Sequence, residues 1–160
     1  MSTPLTAPWL VDRFVGALDR LAPPAVAYAH CDIPCGIYDP HMAQIAALTV
    51  VRMVQLIQGL QQPGGNASKE EWDTYGMQIS RYTAIKEEHA RIAEHEVIIL
   101  WTDYFKPEHL EKYPNLHELF WKATKEAGLA KKSQDPQQGQ GLLDAIAAID
   151  KIFWETKKAA

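Results

Sequence analysis

A chain of 160 residues with 47% hydrophobic and 22% charged side chains is one ordinary globular domain, able to bury roughly two-thirds of its unfolded surface. Its net charge of −4, with lysines paired only at Lys131-Lys132 and Lys157-Lys158, excludes a nucleic-acid-binding face; those pairs suit helix C-termini instead. No run approaches the roughly 20 apolar residues that cross a bilayer, and two cysteines cannot build a disulfide framework, so a soluble protein held by its core is expected.

Residues 1–29 read as a removable leader. Leu10, Phe14, Leu18 and Leu21 share one face of a short helix that Pro23-Pro24 stops. Ala27-Tyr28-Ala29 resembles the small-residue pattern of a signal-peptidase site. No basic segment precedes it, however, and Asp12-Arg13 and Asp19-Arg20 cut the apolar runs below the roughly 7–15 residues an export signal needs. A cytoplasmic protein with a leader of another kind is the expectation, export the alternative.

Residues 30–40 form a turn-rich segment, and Asp39-Pro40 then opens a helix, Asp39 as cap and Pro40 at its first position. That helix runs to about Gln61, with Met42, Ile45, Leu48, Met53, Leu56 and Leu60 as its buried candidates; Gln62-Pro63-Gly64-Gly65-Asn66 breaks it. Ser68-Lys69-Glu70-Glu71 is a capping box opening a long helix that carries Trp72, Tyr75, Ile79, Tyr82, Ile85, Ile92, Ile99 and Leu100. Pro107 ends the turn that follows. Pro114 opens a third helix with Leu116, Leu119, Phe120, Ala123 and Leu129 inward, residues 132–139 are a polar linker, and a last helix holds Leu142, Leu143, Ile146, Ile149, Ile152 and Phe153. The fold class is all-α: an antiparallel four-helix bundle over residues 41–160.

Both cysteines lie in His30-Cys31-Asp32-Ile33-Pro34-Cys35-Gly36-Ile37-Tyr38-Asp39-Pro40, directly behind a histidine. Thiolates select soft or borderline ions, and a planar nitrogen-and-sulfur set suits nickel or copper. Zinc wants four side chains in a tetrahedron, so it needs a further ligand such as His41. Pro34 restricts the backbone and Gly36 tolerates turn geometry that other residues resist. Opening the chain before His30 adds an α-amine and the Cys31 amide nitrogen to the imidazole and two thiolates. A redox-regulated dithiol and a pair of inert buried cysteines stay open beside the metal site, because C-x-x-x-C alone is a weak motif.

The whole eleven-residue stretch closely resembles the nickel-binding hook of nickel-containing superoxide dismutases. The resemblance continues through Leu100-Trp101-Thr102-Asp103-Tyr104-Phe105-Lys106-Pro107, Glu111-Lys112-Tyr113-Pro114 and Ile149-Asp150-Lys151-Ile152-Phe153-Trp154-Glu155-Thr156-Lys157-Lys158, so it covers nearly everything after residue 29. It implies a precursor with a leader at 1–29, a hook at 30–40 and a helical body at 41–160, a dedicated peptidase cutting between Ala29 and His30. It implies one nickel per subunit, bound by the His30 amine, the Cys31 amide nitrogen and the Cys31 and Cys35 thiolates, with the His30 imidazole as axial ligand of the oxidised metal. Asp32, Pro34 and Gly36 then shape the hook. Tyr38 matches the tyrosine bordering the substrate approach, Tyr104 a second tyrosine near the site, and Lys106 a lysine close to the hook.

The implied reaction is an antioxidant one, disproportionation of superoxide to oxygen and hydrogen peroxide, and the implied assembly a homohexamer. In better-known members a glutamate and an arginine brace the axial imidazole; the aligned residues are Ala46 and His89, which leaves His89 as a substitute partner or a satisfied core histidine. His41, His95, His109 and His117 read as surface residues. Two rivals from other classes are a nickel or copper carrier without turnover and a helical interaction protein whose cysteines form a redox-switched loop.

Overall fold

The computed structural model describes residues 36–158, together with Arg13 in a helical turn, and divides the chain into two compact units, Met1–Cys31 and Asp32–Ala160. Apart from Arg13, the expected leader helix lies outside the described residues.

The helix α1 spans His41–Gly59, α2 Lys69–Ile99, α3 Pro107–Lys112, α4 Leu116–Lys132 and α5 Pro136–Lys157, with a π-helical turn at Leu100–Tyr104. Among the described residues there is no strand. The four long helices pack in a ring, α1 on α2, α2 on α4, α4 on α5 and α5 on α1. Long-range contacts give their directions. Trp101, just past α2, stacks on Phe120 near the start of α4, while Lys86 reaches the end of α4. Gln58 at the end of α1 donates to the Gln134 carbonyl before α5, and Lys157 at the end of α5 donates to the Tyr38 carbonyl before α1. This is the antiparallel bundle expected.

Local start signals hold. Ser68 and Glu71 form a reciprocal capping box, Ser68 N–H donating to Glu71 Oε2 at 2.7 Å and Glu71 N–H to Ser68 Oγ at 3.3 Å. The backbone bond from Ser68, aided by its hydroxyl, holds the Glu71 carboxyl below the usual carboxylate range. Asp39 Oδ1 accepts from His41 N–H at 2.6 Å, capping α1 with the first helical residue one place later than expected.

The inward face of α1 differs from expectation. Met42, Ile45 and Leu48 are exposed, and Met53, Leu56 and Leu60 are half-buried; the seam is Ala43, Ala46, Ala47, Val50, Val54 and Ile57. Opposite a polar stripe of Gln44, Arg52, Gln55 and Gln58, the apolar arc of this helix is wider than its seam, so periodicity does not separate the two, and close approach of two neighbours favours small side chains. The same composition makes α1 long and apolar enough to cross a bilayer, at a mean hydropathy of 1.2, which the sequence reading did not expect. Its alanine seam packs on α2 and α5, as a core helix does.

The α2 seam likewise uses Ala90, Ala93 and Val97, leaving Trp72 exposed and Tyr75, Ile79, Tyr82, Ile85, Ile92 and Ile99 half-buried. In α4, Leu116, Phe120 and Ala123 are buried as expected, but Leu129 is exposed and Ala127 and Ala130 take the seam. Pro107 opens the short α3 rather than ending a turn. The polar stretch expected as a linker at 132–139 is helical from Pro136, capped by Asp135, whose carboxylate accepts from Gln137 N–H at 2.9 Å. Gly139 sits where α5 approaches α1 closely: a Cβ there would lie 3.3 Å from Val51 Cγ2.

Lys86 is 2% exposed, and its Nζ donates to the carbonyls of Ala130, Lys131 and Ser133 at 3.0, 2.7 and 2.7 Å. Carbonyls only accept, so three bonds require the ammonium, which also meets the negative end of the α4 dipole. Burial lowers its pKa from the usual lysine value, Glu87 partly opposing. Because the unfolded chain then holds this proton more tightly, Lys86 adds stability with rising pH only between its lowered value and the usual one. Lys86→Met leaves three carbonyls at the end of α4 and just past it without their donor and is expected to cost about 2–4 kcal/mol, read as a fall of roughly 5–15 °C in the thermal unfolding midpoint of the metal-free protein.

Candidate metal centre

The proposed ligands His30, Cys31 and Cys35, the hook-shaping Asp32 and Pro34, and the Ala29-His30 cleavage point lie outside the described residues. The description starts at the hook's exit. Gly36 has φ +88°, a conformation that L side chains rarely adopt, and among the described residues a Cβ there would meet nothing within 4 Å. The backbone conformation by itself asks for glycine here. Among the described residues no group of three or more His, Cys, Asp or Glu side chains converges to hold a metal. Both thiols of the chain and the His30 imidazole fall in residues 30–35, and such a sulfur-and-nitrogen set is chemistry that fits nickel.

Two residues past Gly36, Tyr38 is buried, at 7% exposure, despite sitting before α1. Its ring meets Tyr104 edge-on, the centroids 6.3 Å apart. Tyr104 ends the π turn, which the Phe105 N–H closes on the Leu100 carbonyl at 3.2 Å. An extra residue in a helical turn re-aims the side chains after it, and such turns recur at functional sites. Here the turn lays Tyr104 against Phe153, Phe105 and His109, at centroid distances of 4.4, 4.9 and 5.8 Å. The hydroxyl of Thr156 donates to the Phe153 carbonyl at 2.8 Å and shares a hydrogen bond with the Tyr104 hydroxyl at 2.9 Å, in which either can donate; Tyr104 also reaches the Phe153 carbonyl at 3.5 Å.

The sequence reading put Tyr38 and Tyr104 at one place, and the structure brings them together. Lys106 is exposed; its backbone N–H donates to His109 Nδ1 at 3.1 Å. His109, expected at the surface, is instead half-buried against Tyr104, whereas His41, His95 and His117 are exposed as expected. His89 is half-buried with Nδ1–H donating to the Ile85 carbonyl at 2.9 Å, and Ala46 is buried. One ring nitrogen of His89 is thus satisfied by its own helix.

A sequence profile of the nickel-containing superoxide dismutase family matches residues 25–157. The chain belongs to this family. The superoxide dismutase [Ni] of Streptomyces coelicolor is 48% identical over 143 residues, covering 89% of this chain and 99% of that protein. The Streptomyces seoulensis superoxide dismutase [Ni] is 50% identical over the same length and shares. Among solved structures, a native nickel superoxide dismutase is similar at a TM-score of 0.68 and 47% identity, covering 80% of this chain and 99% of its own. A nickel-containing superoxide dismutase with nickel ligation corresponding to the oxidised state is similar at 0.68 and 45% identity, covering 81% and 99%.

Two residues with contacts at this site carried no role in the sequence reading, Thr156 and Lys157. A signal was present: Ile149, Ile152 and Phe153 set an apolar seam along α5, and Thr156 continues it as a buried hydroxyl, which needs a partner.

Proposed function

We propose that the chain removes superoxide with nickel held by the His30 amine, the Cys31 amide nitrogen and the Cys31 and Cys35 thiolates, once residues 1–29 have been cut away at Ala29-His30. Membership of the family makes it an oxidoreductase acting on superoxide, with nickel as its metal. The observation that carries the finer reading is the sequence of residues 30–40. It concentrates both cysteines of the chain behind a histidine that cleavage would turn into an N-terminal amine.

The overall reaction takes two superoxide ions and two protons to one oxygen and one hydrogen peroxide, one superoxide losing an electron and the other gaining it. Nickel held there would supply the electron store, and the anionic sulfur and amide donors of residues 31–35 would stabilise its upper oxidation state. The protein supplies the rest. Gly36 lets the chain turn out of the hook, Tyr38 and Tyr104 narrow the approach and keep it aromatic, and the exposed Lys106 places positive charge where an anion arrives. Thiolates beside a peroxide-producing reaction are open to oxidation, so metal occupancy protects Cys31 and Cys35 as well as activating them.

A dedicated peptidase as maturation partner and a homohexamer as assembly belong to the same proposal. The exposed Met42, Ile45, Leu48, Trp72 and Trp121 are apolar surface that an assembly of subunits would cover. The test is nickel titration of a chain beginning at His30, followed by X-ray absorption at the nickel edge. One nickel per chain with two sulfur scatterers is expected; a nickel bound without sulfur would refute the ligand set.

A further inference from the structure

The last turn of α5 touches both tyrosines, by two different bonds. Lys157 Nζ donates to the Tyr38 backbone carbonyl at 2.7 Å, joining residues 119 apart in sequence, and the same ammonium lies 5.1 Å from the Phe153 ring centroid and 5.5 Å from that of Trp154. Cation and aromatic faces thus hold the lysine head in place rather than leaving it on a free stem. One residue earlier, Thr156 Oγ1 lies 2.9 Å from the Tyr104 hydroxyl, a bond in which either oxygen can donate, and both hydroxyls reach the Phe153 carbonyl, at 2.8 Å from Thr156 and 3.5 Å from Tyr104. Both oxygens that meet the Tyr104 hydroxyl belong to α5, so the placement of that hydroxyl and the tilt of its ring are set by this helix. The Tyr38 carbonyl is three residues after Cys35, and a charge-assisted bond there restrains the backbone leaving the hook.

We propose that Thr156 and Lys157 are positioning residues for the superoxide reaction: together they fix the two tyrosines and the exit of the hook to the end of α5. The proposal rests on the reading that the nickel-loaded chain beginning at His30 is the working enzyme. Lys157 acts here through a backbone bond, which differs from acting as a distant charge that attracts the anion. A steering charge loses its effect as salt rises, whereas a backbone restraint does not.

The experiment uses that nickel-loaded chain with Lys157→Met, Lys157→Arg, Thr156→Val and Thr156→Ser, following superoxide decay at low and high salt. It adds the electron paramagnetic resonance of the oxidised nickel and amide hydrogen exchange of residues 37–41 without metal. Lys157→Met is expected to lower kcat/KM and speed exchange at residues 37–41 by about tenfold each, the effect of losing one charge-assisted hydrogen bond. It should also shift the nickel spectrum and leave the salt dependence intact, and Lys157→Arg should recover most of each change. Thr156→Val should lower kcat more than it raises KM, and Thr156→Ser should restore it. Unchanged exchange and an unchanged nickel spectrum in Lys157→Met would overturn the proposal, as would a loss of activity that disappears at high salt. An inactive parent protein would instead refute the functional reading on which the proposal rests.

Discussion

Cutting the chain so that it begins at His30 is expected to raise the superoxide activity of the nickel-loaded protein by at least about a hundredfold over the full 160 residues, the scale on which metal sites respond to losing a supporting group. The physical reason is a single nitrogen. With Ala29 attached, the His30 nitrogen belongs to a peptide bond, whose lone pair is delocalised into the carbonyl and is a poor donor. Freed, it is an amine that binds metal with the Cys31 amide and the two thiolates in one compact set. Stopped-flow decay of superoxide over the two proteins, loaded with equal nickel, checks this. A chain one residue longer, with Ala29 retained, should behave like the full-length protein, which separates the amine from any bulk effect of the leader. Equal activity in all three would refute the maturation argument.

Replacing Cys31 or Cys35 by serine should abolish activity, by roughly a thousandfold or more, well above the 10–100-fold cost typical of losing an outer-shell partner. A serine hydroxyl is not deprotonated at neutral pH and is a hard donor, so it neither holds nickel as a thiolate does nor stabilises its upper oxidation state. Among the described residues the core is formed by Leu116, Phe120, Leu142, Ile146, Ile149 and Phe153 with the alanine seams of the helices. Far-ultraviolet circular dichroism and the unfolding midpoint of the metal-free variants should therefore match the parent. A variant that lost its helices along with its activity would contradict the separation of hook from body.

The contrast between what residues 30–40 reveal and what the helices conceal has a physical origin. Metal chemistry is written in side-chain type, and histidine with two cysteines at short spacing is visible without knowing the fold. Capping is also local: Ser68 with Glu71, and Asp39 before His41, were legible because donor and acceptor lie within three residues. Asp135-Pro136 carried the same kind of start signal, yet the glutamines and glycines after it read as a linker because they offer no apolar periodicity. The face of α1 was not legible, since Met42, Ile45 and Leu48 are as apolar as the alanine seam that the neighbouring helices select.

Long-range roles were hidden most completely. Lys86 is a buried ammonium only because α4 ends beside α2, and Lys157 restrains Tyr38 only because α5 ends where α1 begins. The two tyrosines were the exception, carried by resemblance and then found 6.3 Å apart.

The central claim is that nickel held by residues 30–35 turns over superoxide. Pulse radiolysis of the nickel-loaded chain beginning at His30, with superoxide in large excess over metal, tests it most directly. Decay proportional to nickel through many turnovers, abolished by Cys35→Ser and not reproduced by zinc, is the predicted result. Consumption that stops after about one superoxide per nickel would contradict it, and would make the chain a metal carrier.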